Sequence, residues 1–544
     1  MTIRRTHVYA GRWLLGVSMG LTLVGCSFDD TPIAPEPPAL PSSPAPVDAG
    51  AAQPEAGSNA AAGGEAPPVL PPMDAAVAVP PSAAPDAATA PAPGPTPDAA
   101  APLGPSNPPG CQVDCTTIVG IEAKLQLIAT DLDALPSAEE RADVRYLDLT
   151  PYANAGHGDA ELALHREALA FLVNSLSRGP LVVRPQAIDP QSLLFRIRLS
   201  DYGWSAASWE LVAERYPFAV SYDPSSRVYA QSAVLLERIR EQVGTQVPYV
   251  NGDWFFSRAV RPPLYYDLLA VPVELRTLEI QLGVDIRQNI DDQLVARAGF
   301  VDSGPSANNR VIERHVLSDN RGALWLTYDF DSSSGLSNVL AHPLDFNPTG
   351  SQMIFSLPNG LHAYTIVDDR GVRLDKAPSG IQDRAASDFA MEAGLSCVHC
   401  HARGGVIIKQ DEVRGALMPT ATDIETRDQV LALYKDAPEL DALFGADQAR
   451  YATALAVLQL QVFGDGSAHQ LDDAYTAALP ARAVAAALGV PEAELLQQLQ
   501  SSPGAFPIEA LPLRTPSGTL PRDVLEARFA DLVAPLGLGA VLQP

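Results

Sequence analysis

Proline divides this chain before any other residue type does. Of the 50 prolines in 544 residues, 23 fall between residues 27 and 110, in a stretch of 84 residues that is otherwise mostly Ala, Gly and Ser. That stretch holds nine acidic residues and no Lys or Arg. Such a composition cannot bury enough apolar surface to offset the entropy of ordering the chain, so no packed core forms there. Residues 26–110 are expected to be a disordered Pro/Ala-rich tether with polyproline II character, reaching at most roughly 250 Å at about 3.1 Å per residue. A folded body is thereby confined to residues 111–544.

The segment before the tether reads as an address. Arg4, Arg5 and Arg12 make a positive start, and Trp13 to Val24 is an uncharged, mostly apolar run of twelve residues. A run of that length falls about eight residues short of spanning a bilayer and fits a signal peptide over residues 1–25. It stops at Leu23-Val24-Gly25-Cys26, which resembles the lipobox of bacterial lipoproteins, where the cysteine is lipidated after cleavage. Ser27 follows Cys26, where lipoproteins retained at the inner membrane usually carry Asp, so the analogy points to the outer membrane.

The charge excludes one class of function. The chain carries 37 Lys and Arg against 64 Asp and Glu, for a net charge of −27. A polyanion with no local basic patch repels phosphate, so nucleic acid is not an expected partner. There is no second long apolar run, so a polytopic membrane protein is excluded as well. Two of the five cysteines, Cys111 and Cys115, sit where the tether meets the body. They lack a following histidine, and in an oxidising compartment a local disulfide between them is expected.

Periodicity gives the body an α+β class. Helical spacing of apolar residues marks 117–132, 159–177, 206–215, 229–242 and 273–282, and later 424–435, 446–463 and 483–500. His165 falls on the apolar stripe of the second of these and is expected to be a core histidine. Alternation marks a strand at 194–200, with Arg196 and Arg198 on one face. Short β runs at 310–316, 323–330, 352–357 and 361–367 are separated by turn signals such as Pro358-Asn359-Gly360, which predicts a small antiparallel sheet. The expected organisation is an α+β domain over 111–380, a mainly helical haem domain over 381–465 and a helical extension over 466–544. The aromatic clusters Trp254-Phe255-Phe256 and Tyr265-Tyr266 are expected to pack the core. The acidic run that begins at Asp329 reads as a turn at a strand end, its glycine being one place late for a calcium loop.

The chemistry is concentrated in Ser396-Cys397-Val398-His399-Cys400-His401, which contains Cys-x-x-Cys-His, the attachment signature of a c-type haem. Two thiols three residues apart can form thioethers with the two vinyl groups of one haem. The next histidine then falls under the iron. Cys397 and Cys400 are therefore the expected covalent anchors and His401 the axial ligand. A redox Cys-x-x-Cys or half of a zinc site are the competing readings; the second would need two further ligands at short spacing, and no second cysteine pair is available there. For the opposite side of the iron, Met418 is a candidate ligand, because a thioether there raises the potential and suits electron transfer. His342, His362 and Met391 are further candidates, and a five-coordinate iron is the remaining option. His399 leaves the same tight segment in a direction that cannot reach the far side of the iron. No nucleophile elbow, His-Glu-x-x-His, phosphate loop or dinucleotide fingerprint is present.

From about 145 to 500 the chain resembles a large family of exported bacterial proteins with a single c-type cytochrome domain. The segments that carry the resemblance are 145–150 (RYLDLT), 173–177 (VNSLS), 196–204 (RIRLSDYGW), 253–256 (DWFF), 262–269 (PPLYYDLL), 309–315 (NRVIERH), 355–361 (FSLPNGL) and Cys397 to His401. Members of this family usually carry Gln where this chain has His362. The resemblance implies haem binding and one-electron transfer with redox partner proteins. Two other classes of function stay open beside the membrane-anchored electron carrier. One is a haem enzyme or sensor with an open iron site, the other a binding module whose haem domain relays.

Overall fold

The helical periods in the sequence fold close to where they are expected. Ile121–Ala134, Asp159–Ser175, Ala206–Ala213, Ala230–Val243, Leu275–Leu282 and Ile424–Leu433 are all α-helices. Two expectations shift for local reasons. The helix expected at 446–463 begins earlier and spans Ala437–Leu458, because the Asp436 carboxylate accepts from Glu439 N and Pro438 suits the first turn. The helix expected at 483–500 is two, Ala481–Leu488 and Glu492–Ser501, separated by a turn through Gly489. The computed structural model describes residues 120–301, 303–318, 321–417 and 423–542. The signal segment, Cys26, the tether, Cys111, Cys115 and Met418 lie outside the described residues.

The fold is mixed α/β with small sheets. The first sheet uses β1 (Val144–Asp148), β2 (Gln186–Ala187), β3 (Leu194–Arg198) and, after the short strand β4 (Val220–Tyr222), β5 (Tyr249–Asn251). Its order is β2-β3-β1-β5, antiparallel except for the parallel pair β1–β5. Only β3 is legible from alternation. β1 is buried along its whole length, yet it carries two charges that break an apolar run. Asp148 is paired with Lys124 at 2.9 Å, while the Arg145 guanidinium donates to the carbonyls of Ala142 and Val144.

The second sheet has six strands, β6 (Ala296–Phe300), β7 (Arg310–Val316), β8 (Ala323–Asp329), β9 (Gly350–Ser356), β10 (His362–Asp368) and β11 (Arg373–Leu374). They run in sequence order, each antiparallel to its neighbour. The expected strands are β7 to β10. β6, with the sequence Ala-Arg-Ala-Gly-Phe, has too little apolar alternation to announce itself. Register places Tyr364, Ile354, Trp325 and Arg314 in one cross-strand row. The long helix Ala437–Leu458 covers this face. Phe444 stacks on Trp325 with ring centroids 4.5 Å apart, and Asp447 accepts from both Arg314 Nε (2.8 Å) and Trp325 Nε1 (2.9 Å).

The opposite face buries Leu324, Leu326, Met353 and Phe355 in the main core. It also buries a polar knot in which Glu313 meets Arg297, His315 Nε2 (2.9 Å) and the Tyr328 hydroxyl (2.7 Å). Burial by itself would raise the Glu313 carboxyl, but Arg297 and these hydrogen bonds bring it down to about 2. Asp329 is ion-paired with Arg310, as befits the end of a strand rather than a cation loop.

Two minor pairings complete the body, β12 (Leu479–Pro480) with β13 (Thr519–Leu520), and β14 (Gly539–Val541) with β4. The last strand thus returns to a strand more than three hundred residues earlier, and all described residues belong to one compact unit. Among them no helix is long and apolar enough to cross a membrane.

Candidate functional site

The Cys-x-x-Cys-His motif lies on a short helix, Leu395–His401. Helical spacing separates its side chains into two sets. Leu395, Ser396, Val398, His399 and Ala402 are buried, whereas Cys397, Cys400 and His401, at positions i, i+3 and i+4, are each half-buried. The three residues that a haem would need therefore share the one face that the body leaves partly open.

Both ends of this helix are set from outside it. At the start, Gly394 has φ +78°, and a Cβ there would lie 2.2 Å from Val260 O and 3.0 Å from the Tyr265 ring. At the finish, Gly466 N–H donates to His399 O (2.8 Å), and the Tyr451 hydroxyl reaches Ala402 O (2.7 Å) and His401 O (3.2 Å). Carbonyls that a helix terminus leaves unmade are thus bonded by groups from distant, downstream elements.

His401 is oriented by its own neighbour. Its Nδ1 lies 2.6 Å from Gly405 O, and Gly405 N–H returns a bond to His401 O at 3.2 Å. A backbone carbonyl can only accept, so Nδ1 carries a proton, which in the neutral ring leaves the lone pair on Nε2. That is the tautomer a metal-bound imidazole requires, and the bond to the carbonyl raises its basicity. Gly405 has φ +63°, and a Cβ on it would come within 3.0 Å of His362 Cε1 and 3.2 Å of Tyr451 Cδ1. Tyr364 packs on His401 from the sheet, ring centroids 5.9 Å apart.

The cysteines are not joined to each other by a disulfide. Cys397 is half-buried by area, yet its sulfur is closely surrounded, and burial pushes the thiol up to about 12. A thiol–disulfide catalyst needs its nucleophile depressed toward neutrality, and burial acts on Cys397 in the opposite direction. Among the described residues no cluster of three or more His, Cys, Asp or Glu side chains is arranged to hold a metal ion. Two thiols and an oriented imidazole on one helix face are the donors that a covalently attached haem would use.

The other candidates fall in different places. His362 is buried beside Gly405 and stacks on Tyr451. Burial, with His401 nearby, lowers it to about 3 and keeps it neutral. His342 sits in the loop whose Val339 and Phe346 pack on the opposite face of the second sheet. Met391 is part of the main core. His399 points away from the open face and meets His469, ring centroids 4.4 Å apart. His469 Nε2 in turn lies 2.6 Å from Asp383. His165 bonds Glu161 O through Nδ1 at 3.0 Å, as a core histidine does. Gly405 and Tyr451 are site residues that the motif does not announce. A glycine four residues past the motif histidine is a visible signal, whereas Tyr451 gives none, since its role depends on how the long helix docks.

Segments 173–177, 196–204 and 355–361 meet through polar contacts: Asn174 accepts from Asn359 through its carbonyl, and Trp204 Nε1 donates to Leu176 O. Comparison of the whole chain with family models, curated proteins and solved structures returns no match.

Proposed function

We propose that this protein is a mono-haem c-type cytochrome that transfers single electrons in the cell envelope. Cys397 and Cys400 would hold the haem through thioethers, and His401 Nε2 would ligate its iron. The observation that carries this reading is the placement of all three side chains on one half-buried helix face, with His401 Nδ1 already committed to Gly405 O. Bound haem supplies the one-electron couple. The chain's own residues set its environment: Gly405 O strengthens the imidazole as a donor, Tyr364 packs on it, Tyr451 bonds the backbone that carries it, and Gly394 lets the helix lie tightly on Val260 and Tyr265. In this reading Cys26 carries the lipid that tethers the body to the outer membrane through residues 26–110. The partners are redox proteins that approach the open face, and Met418 is the proposed second ligand.

An absorption spectrum of residues 111–544, matured with haem and recorded oxidised, reduced and reduced with carbon monoxide, tests the proposal. A low-spin spectrum with the weak far-red band of Met–iron ligation, indifferent to carbon monoxide, supports the carrier. Loss of that band in Met418→Ala assigns the ligand, and its persistence removes Met418. One observation favours a haem enzyme or sensor instead. The motif helix is packed against Val260, Tyr265 and Tyr364 of a body far larger than the roughly hundred residues a carrier needs. A high-spin spectrum that shifts with carbon monoxide would establish that second reading, and absence of covalent haem would overturn both.

A further inference from the structure

We infer that Tyr451 is a positioning residue for the axial imidazole, acting through the backbone that His401 and Gly405 share; the inference rests on the haem reading above. Tyr451 is fully buried on the long helix Ala437–Leu458 and makes two kinds of contact with the motif. Its hydroxyl holds His401 O and Ala402 O, fixing the last turn of the motif helix. Its ring lies against the Cα of Gly405, whose carbonyl accepts from His401 Nδ1 at 2.6 Å. One side chain therefore sets both where the imidazole is mounted and where its acceptor stands.

His362 holds Tyr451 in place. The two rings stack with centroids 4.5 Å apart and an interplanar angle of 27°. His362 Nδ1 is buried without a hydrogen-bond partner, so His362 acts here by shape. A ring of similar size can replace it, whereas the Tyr451 hydroxyl has no substitute.

A bond from Nδ1–H to a fixed carbonyl gives an iron-bound imidazole partial anionic character, which favours the oxidised metal. If the carbonyl and the helix end loosen, the bond weakens and the reduction potential rises. The holoprotein is compared with Tyr451→Phe and His362→Phe. Expected are a higher midpoint potential and roughly fivefold to tenfold faster solvent exchange of His401 Nδ1–H in Tyr451→Phe, the loss of about one hydrogen bond's worth of order. The His362→Phe protein should stay close to the parent in both.

A Tyr451→Phe protein with attached haem and unchanged potential and exchange would overturn the positioning role while leaving the haem reading intact. So would unprotected exchange of His401 Nδ1–H in the parent, a measurement that does not depend on whether a variant folds. A parent chain that takes up no covalent haem would overturn the haem reading first and this inference with it.

Discussion

At Gly394 the chain passes so close to its surroundings that a methyl group has nowhere to go. The positive φ and the 2.2 Å approach to Val260 O act together. Gly394→Ala should cost about 2–4 kcal/mol, which urea unfolding followed by circular dichroism will measure. Glu313 gives a pH-dependent counterpart. Its carboxyl ionises at about 2 in the folded chain, below the ordinary value near 4.3. A depressed acid contributes stability that is complete above the ordinary value and is lost as pH falls toward 2. Thermal midpoints should therefore drop between about pH 4.5 and 2, and Glu313→Gln should flatten part of that drop. The same variant should lose about 3–5 kcal/mol at neutral pH, because Arg297 would remain buried without its partner.

Helices and strands show what the sequence could and could not convey. β7 to β10 follow from alternation and turn residues because each is bounded by a local signal, such as Pro358-Asn359-Gly360. β1 and β6 do not, since their apolar runs are broken by charges whose partners lie on other elements, Asp148 with Lys124 and Arg297 with Glu313. The motif itself was legible in full, because its spacing is chemistry rather than fold. Its supports were not: Tyr451 and Val260 reach it through tertiary packing that no local period encodes. The long helix makes the same point energetically. Asp447 joins it to Arg314 and Trp325 across the sheet, and Asp447→Asn should cost about 3–5 kcal/mol through the buried guanidinium it strands. Loss of the Phe444–Trp325 stack in the same variant would appear as a changed near-ultraviolet circular dichroism signal.

Across the whole molecule, the segments around the motif depend on elements distant in sequence. Residues 381–465 alone would expose Phe444, stripped of Trp325, and Tyr451, stripped of His362. That fragment is expected to show no cooperative thermal transition by circular dichroism, whereas 111–544 should show one. At the other end, Leu536 and Leu538 are buried beside the β14–β4 pairing. Deleting residues 534–544 should cost about 3 kcal/mol or more, from two buried leucines and three strand pairings.

The motif helix, gripped at Gly394 and again at Tyr451, also has a kinetic meaning. A mount that cannot swivel leaves an imidazole on it at one angle in both oxidation states. In the proposed carrier, the rearrangement that accompanies each electron would then be borne by the water and ions outside the open face. The speed of exchange would be governed by the solution in which the partners meet, and the chain would contribute mainly by standing still.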